Sequence, residues 1–505
     1  MEFSSALKLT GLDDYITPSQ ACIKPVESGI QGSSKNSTVT IQLEENGSYS
    51  EVHGDGSKVA LKPAKITLND CLACSGCITS AESVLITQQS VDEFFSVLEN
   101  KLHDLKLVVS ISPQAWASIA TQYNTSGPSA LAKLSALFKQ LGAAAVLDIS
   151  LSRDLSLVES CQEFVHRFTN RAEKQIPVIA SSCPGWVCYA EKTQHAALPF
   201  LSSVKSPQQI SGTLVKQLFA KKLGVQPANI YHVCLMPCFD KKLEASRDDF
   251  VEEVSNSREV DLVLTSAEIL DLIARKNINF MQMQDEPIEN LFGEVMSSGD
   301  MLDRLFGVHG SSGNFAKEVF IFAAHHIFGK DVKVLEASED VEMEIHESSS
   351  TSSSPISCVW KQVRNSDFHE LVLLDPQDSK TPLLKFARCY GFRNIQNIIR
   401  QLKSSKGCAY HYVEVMACPS GCINGGGQIR ADESTKEAPK ERLLKVQETY
   451  RTGQIERSPH GNPDVKRVYE EVISSAPYSE SSCRLLHTSF HARTETLANP
   501  LSISW

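Results

Sequence analysis

The chain has 505 residues, 42% apolar and 22% charged, and its 49 basic and 60 acidic side chains leave a net charge of −11. At about 150 residues per domain that allows roughly three domains and several buried cores, and the acidic balance offers no overall basic footprint for nucleic acid. No apolar run approaches the roughly 18 residues of a membrane span, and the start MEFSSALKLTGLDDY lacks a basic n-region and an apolar h-region, so neither insertion nor secretion is expected.

A cytosolic or nuclear protein remains, and its 15 cysteines stand out. In a reducing compartment an odd set of clustered thiols reads as metal ligands or catalytic groups, not as disulfides. Residues 26–58, opening VESGIQGSSKNS, are rich in Ser, Gly and charge and predict a mobile segment. Asp70-Cys71-Leu72-Ala73-Cys74-Ser75-Gly76-Cys77 follows. Three thiols at C-x2-C-x2-C suit a loop wrapped on one polynuclear iron–sulfur cluster, and at this cysteine frequency chance supplies only roughly 0.01 such triples. Zinc is the alternative, but it usually needs a second CxxC or a histidine pair, and His53 is the nearest imidazole. The cluster needs a fourth thiolate, and Cys22, in ITPSQACIKP, is the only cysteine upstream.

Beyond residue 104 the pattern alternates β and α. LKLVVSIS (105–112), AAAVLDIS (143–150), IPVIASS (176–182), YHVCLM (231–236), VDLVLT (260–265) and YHYVEVM (410–416) predict buried strands. Thr265 to Glu268 fits a capping box opening the helix AEILDLIAR, and GFRNIQNIIRQL is amphipathic. ESSSTSSSP (347–355) reads as a surface insertion. The alternation predicts α/β layers with mostly parallel sheet. Cys183, Cys238, and Cys418 with Cys422 each fall just past an apolar strand, the edge at which ligand sites gather in open α/β sheets. Gly425-Gly426-Gly427 would let backbone approach a bulky inorganic centre, a plain turn being the alternative.

These residues carry a family resemblance. SSCPGW (181–186), MPCFDKKLE (236–244), EVMACPSGCINGGGQ (414–428) and LSSVKSPQQISG (201–212) together resemble the large subunit of [FeFe]-hydrogenases over roughly residues 60–430. VKRVYEEVISSAPYSESSCRLLHTSF (465–490) resembles the small-subunit segment that packs against it, and LDDYITPSQAC narrows the likeness to the eukaryotic hydrogenase-like factors of cytosolic iron–sulfur assembly, the nuclear prelamin A recognition factor-like family. The resemblance implies an α/β, [FeFe]-hydrogenase-like body of two lobes around an inner iron–sulfur site, plus an N-terminal iron–sulfur segment. It implies two [4Fe–4S] clusters, one on Cys22, Cys71, Cys74 and Cys77 and one on Cys183, Cys238, Cys418 and Cys422, with Lys241, Glu244 and Met236 matching residues near a di-iron subsite. Active hydrogenases carry a proton-relaying cysteine where this chain has Ser182. A hydroxyl is a far weaker acid than a thiol of pKa about 8.5, so hydrogen turnover is not expected and the chain is read as no enzyme.

The implied division is an N-terminal segment 1–60, a cluster region 61–104, a large-subunit-like region 105–450 with the insertion near 345–356, a small-subunit-like segment 451–490 and a tail 491–505. Ile503-Ser504-Trp505 resembles the C-terminal tripeptide by which clients and adaptors dock on the cytosolic iron–sulfur targeting complex, an aromatic anchor beside a free carboxylate. The implied partners are that complex with its WD40 propeller adaptor, an upstream P-loop NTPase scaffold and apo iron–sulfur proteins, with no nucleic acid and no membrane. The expected role is late transfer of clusters to cytosolic and nuclear apoproteins. The alternatives are an [FeFe]-hydrogenase-type redox enzyme, an electron-transfer protein, or a fold that clusters merely staple. Cys161, Cys188, Cys234, Cys358, Cys389, Cys408 and Cys483 are read as structural, and His325-His326 as half-buried.

Overall fold

The computed structural model describes residues 88–493 apart from 101–104, 171–174, 253–255, 297–304, 309, 337–354, 376–380 and 432–436, together with Ile86 and five short strands between residues 7 and 65. Cys22, Cys71, Cys74, Cys77, Ile503, Ser504 and Trp505 lie outside the described residues. Two compact units are present, Met1–Ser83 and Val84–Trp505.

In the first unit Thr40–Leu43, Tyr49–Val52 and Lys58–Ala60 form an antiparallel sheet in chain order, and Leu7–Lys8 pairs in parallel with Ala64–Lys65. The stretch expected to be a mobile segment therefore contains regular strands. Its Ser and Gly content suggested otherwise, but Asn46-Gly47 between two alternating runs is a hairpin signal that outweighs composition.

The second unit is built on two sheets whose strands are β1 (Lys106–Ile111), β2 (Ala143–Asp148), β3 (Val178–Ala180), β4 (Ile230–Met236), β5 (Leu262–Thr265), β6 (Ile288–Glu289), β7 (Val295–Met296), β8 (Lys361–Gln362), β9 (Phe368–Leu374), β10 (Pro382–Tyr390) and β11 (Tyr412–Met416). One sheet runs β5-β4-β1-β2-β6-β7 and is parallel but for its last pair. The other runs β8-β9-β10-β11-β3, antiparallel from β8 to β10 and parallel from β10 to β3. Every strand predicted past residue 104 is present; β4 starts one residue earlier than predicted, and the others are shortened at one or both ends. The runs are uniformly apolar because both faces are covered, as parallel sheet requires. β1 is buried after its first residue, and β5 and β11 throughout. Among the described residues no helix is long and apolar enough to cross a membrane.

Local signals behave as physics dictates. The Thr265 side chain accepts the Glu268 N–H at 3.4 Å while the Glu268 carboxylate accepts the Thr265 N–H at 2.8 Å, which caps the helix Ser266–Arg275 at both orphan donors. The helix Phe392–Leu402 buries Asn394, Ile395, Ile398 and Ile399 on one face. His325 and His326 are exposed, not half-buried; they end the helix Phe315–Phe328, where His326 stacks on Phe322.

Inside the first sheet His232 is completely buried on β4, its Nδ1 2.9 Å from the Glu259 carbonyl and its Nε2 2.8 Å from Ser110 Oγ. A carbonyl only accepts, so Nδ1 carries the proton and Nε2 accepts from the serine. Burial pushes the His232 pKa down to about 3. The unfolded chain then takes up a proton near pH 6.5 that the folded chain refuses, so stability is full above that pH and falls as pH drops toward 3, by about 1.4 kcal/mol per unit. A His232→Gln variant should show a shallower loss of thermal midpoint than wild type between pH 7 and 5; equal slopes would remove His232 from the acid response.

Candidate metal centre

Three of the expected cysteine positions end strands that converge. β11 and β3 are neighbours in register, Glu414 opposite Ala180, so the turns after them emerge together. Cys183 caps the helix Pro184–Thr193, whose first residue is a proline preset for helix entry. Cys418 opens the turn Cys418-Pro419-Ser420-Gly421, and Cys422 starts a short 3-10 helix, Cys422–Asn424. Cys238 lies in the other lobe, two residues past β4 and ahead of the helix Asp240–Ala245.

The lobes are pressed together at this point. Gly427 N–H donates to the Pro237 carbonyl at 2.9 Å. A Cβ on Gly425 would strike that same carbonyl, and one on Gly427 would come within 2.5 Å of Thr265. The glycine run was expected to let backbone approach an inorganic centre or to be a plain turn; the close approach observed is backbone to backbone, and it brings the Cys418–Cys422 turn onto the Cys238 turn. Ser420 and Gly421 both hold positive φ, +59° and +81°, and Ser420 N–H is anchored on Asp367 Oδ1 at 2.7 Å.

Cys183, Cys238 and Cys418 are buried and Cys422 is half-buried. Cys238 feels the charges of Cys183, Cys418 and Cys422 together. Ala417 N–H points at Cys183 Sγ at 3.5 Å, and Cys422 N–H donates to Ser312 Oγ at 2.9 Å. Burial, with Asp240 and Cys422 adding, pushes the Cys183 thiol up to about 12, and burial with Asp240 lifts Cys238 well above the ordinary thiol range. Burial of this kind favours neutral thiols, and a metal centre of high positive charge is the group that would hold these four cysteines as thiolates. Among the described residues the one trio of ligand atoms within 4.8 Å of one another lies elsewhere, so these sulfurs are spread wider than one ion spans.

Beside Cys422 opens a small cavity lined by Ser182, Met236, Lys241, Arg153 and Ser312. Lys241 Nζ is 2.7 Å from Glu244 Oε2 and 3.1 Å from Ser206 Oγ. Ser182 Oγ lies 3.9 Å from Met416 Sδ. On the far side of Ser182 a second cavity is walled by Glu244, Arg247, Thr488 and Phe490. The C-terminal segment is held there by Glu191, completely buried, which accepts both Arg247 nitrogens at 2.8 Å, His491 N–H at 3.2 Å and Arg493 Nε at 3.3 Å. Sequence reading missed Asp240, Ser312 and this Glu191 clamp. Asp240 stood inside the matched phrase MPCFDKKLE, but Glu191 and Arg493 are about three hundred positions apart, with no local signature to join them.

Comparisons with known proteins show the family and the fold. Residues 105–426 match the family described as iron only hydrogenase large subunit, C-terminal domain, and residues 439–493 the iron hydrogenase small subunit. The chain is 43% identical to the cytosolic Fe-S cluster assembly factor narfl of Xenopus tropicalis and 42% identical to the cytosolic iron-sulfur assembly component 3 of Mus musculus, each over 100% of this chain and 99% of the relative. Protein NAR1 of Arabidopsis thaliana is 40% identical over 99% of both. Among solved structures, a variant of the [FeFe]-hydrogenase HydA1 from Chlamydomonas reinhardtii superposes with a TM-score of 0.64 at 23% identity, covering 80% of this chain and 98% of the hydrogenase. That likeness shows the fold, the α/β hydrogenase-like body expected.

Because the Pro237 carbonyl leaves no room beside Gly425, a Gly425→Ala variant should lose about 1–3 kcal/mol of stability through overpacking and retain less iron than wild type. A melting curve and iron count equal to wild type would mean the two turns are not pressed together as described.

Proposed function

The chain belongs to the family of cytosolic iron–sulfur cluster assembly factors built on the [FeFe]-hydrogenase fold, and on that premise we propose that it serves the cytosolic assembly machinery, carrying two [4Fe–4S] clusters and passing clusters late to cytosolic and nuclear apoproteins. The observation that carries the reading is the convergence of Cys183, Cys238, Cys418 and Cys422 at the join between two lobes, beside Asp240, with all but the half-buried Cys422 buried. These thiolates would hold the inner cluster, which supplies a delocalised iron centre able to take up and release an electron. Cys22, Cys71, Cys74 and Cys77 would hold the outer one. The partners in this reading are the targeting complex with its propeller adaptor, a P-loop NTPase scaffold upstream and the apo client proteins, met in the cytoplasm and with the tail Ile503-Ser504-Trp505 as the docking element.

The hydrogenase alternative is set aside on two grounds. Full-length relatives are named assembly factors, and the residue facing the cavity is Ser182. Its hydroxyl sits beside Met416 Sδ and has no acidity near neutral pH with which to deliver protons. Lys241 and Glu244 neutralise one another across 2.7 Å, leaving that pocket polar and without a proton donor of thiol strength at the Ser182 position.

Purified without oxygen, the full chain should carry about eight irons and eight sulfides. Cys418→Ala should retain about four and lose thermal stability with them, because binding free energy at a metal site is also folding free energy. Eight irons in that variant would remove Cys418 from the inner set.

Deleting Trp505 should leave both iron content and melting point unchanged while weakening binding to the assembled targeting complex by about thirtyfold, the loss of one aromatic anchor worth about 2 kcal/mol. Calorimetric titration reads this directly, and equal affinities would place the docking surface elsewhere.

A further inference from the structure

A second set of metal-ligating side chains lies outside the four-cysteine site. The long helix Ser150–Thr169 carries Glu159 and Glu163, both completely buried. Against them packs the helix Glu480–Leu486 with Cys483, followed at once by His487. Sequence reading passed over Cys483 as structural, although Cys483 and His487 stand four positions apart, a spacing that puts two ligands on one side of a helical turn. A carboxylate oxygen of Glu159, Cys483 Sγ and a ring nitrogen of His487 all lie within 4.8 Å of one another.

The hydrogen bonds around His487 decide which nitrogen is available. Glu163 Oε1 accepts from Arg167 at 2.7 Å and from Ser203 N–H at 2.9 Å, so this oxygen acts as an acceptor. The Ser203 hydroxyl, 2.8 Å from Glu163 Oε1, must therefore give its proton to that carboxylate. Its oxygen is left to accept from His487 Nδ1, also at 2.8 Å. With Nδ1 protonated, Nε2 points its remaining site at Glu159 Oε2, 2.9 Å away. Two acceptors cannot face each other at that distance, so a cation sits between them, either a proton or a metal. The arrangement on the Nδ1 side, imidazole to hydroxyl to carboxylate, is the kind that orients metal-binding histidines. Glu159 is itself held in place by the Tyr469 hydroxyl at 2.6 Å and the Tyr478 N–H at 3.0 Å. Cys483 is half-buried, so the site opens to solvent on the sulfur side.

We propose that Glu159, Cys483 and His487 bind one divalent, thiophilic cation, and that zinc, which takes sulfur, nitrogen and oxygen ligands and tolerates an open fourth position, is the ion this set suits. Binding expels two protons, one from the Cys483 thiol and one from Nε2, and forms metal bonds to Sγ, Nε2 and a Glu159 oxygen, with water completing the shell. The ion ties the C-terminal segment to the long helix immediately before Thr488 and Phe490 reach the wall of the cavity beside Cys183. It thereby anchors the strand of chain that covers the four-cysteine site, while using none of its ligands.

The test uses the full chain, purified without oxygen and with iron measured in every sample. Zinc titrated in competition with a chromophoric chelator should bind at one per chain in wild type and at least tenfold more weakly in Cys483→Ala, with iron unchanged between the two. Ser203→Ala, which touches no metal ligand but the imidazole, should weaken binding by roughly 10–100-fold. Cobalt in place of zinc should give intense visible ligand-field bands in wild type that are absent in Cys483→Ala. Equal zinc affinity in wild type and Cys483→Ala, or no zinc bound by an iron-loaded wild type, would overturn the proposal and leave a proton between His487 and Glu159. A low iron count with the zinc difference intact would count against the two-cluster reading alone.

Discussion

Everything about this molecule's second unit turns on one close approach, the Gly425–Gly427 backbone against the Pro237 carbonyl. It is where the two sheets, otherwise separate, share a hydrogen-bonded seam, continued as Ala267 N–H donates to the Gly427 carbonyl at 3.0 Å. The seam works only because no side chain intervenes. It sets the turn bearing Cys418 and Cys422 against the turn bearing Cys238, and the parallel pairing of β11 with β3 adds Cys183 from the same lobe as Cys418. The positions of all four thiols thus follow from one backbone contact and one strand register.

The electrostatics of that junction are unusual for a protein interior. Several buried acidic groups of the unit have a basic partner: Glu191 with Arg247, Glu259 with Lys205, Glu244 with Lys241. Lys241, whose charge is felt by Cys422, is itself engaged with Glu244. A resident metal centre would stabilise the thiolate forms that burial disfavours. Chains that tie Cys183 to Cys422 also close a loop of 239 positions, worth about 5 kcal/mol by loop entropy, so holding a centre and holding the fold are the same act here.

The C-terminal segment is the second organising feature. It is fastened twice, at Glu159 through Tyr469, Tyr478 and His487, and at Glu191 through His491 and Arg493. Both glutamates are completely buried, so each fastening draws on a carboxylate with no solvent alternative, and the segment between them walls the cavity next to Cys183.

What could be read from the chain alone was local. Uninterrupted apolar runs announced β1 to β5 and β11, because a strand covered on both faces has no polar positions to spare; Thr265 and Glu268 announced a helix start, and Cys183, Cys238, Cys418 and Cys422 were legible as residues just past strand ends, bearing a family's phrases. Composition misled where it was asked about backbone, as in the Ser- and Gly-rich stretch that holds the strands Thr40–Leu43 and Tyr49–Val52, and the glycine run was legible only as a need for space, not as space taken by Pro237. The pairing of Glu191 with Arg247 and Arg493, and the meeting of Glu159 with Cys483 and His487, were decided by tertiary structure alone. Each joins residues 56 to 328 positions apart, and nothing in a sequence of this kind marks which buried carboxylate will face which base until packing has chosen the neighbours.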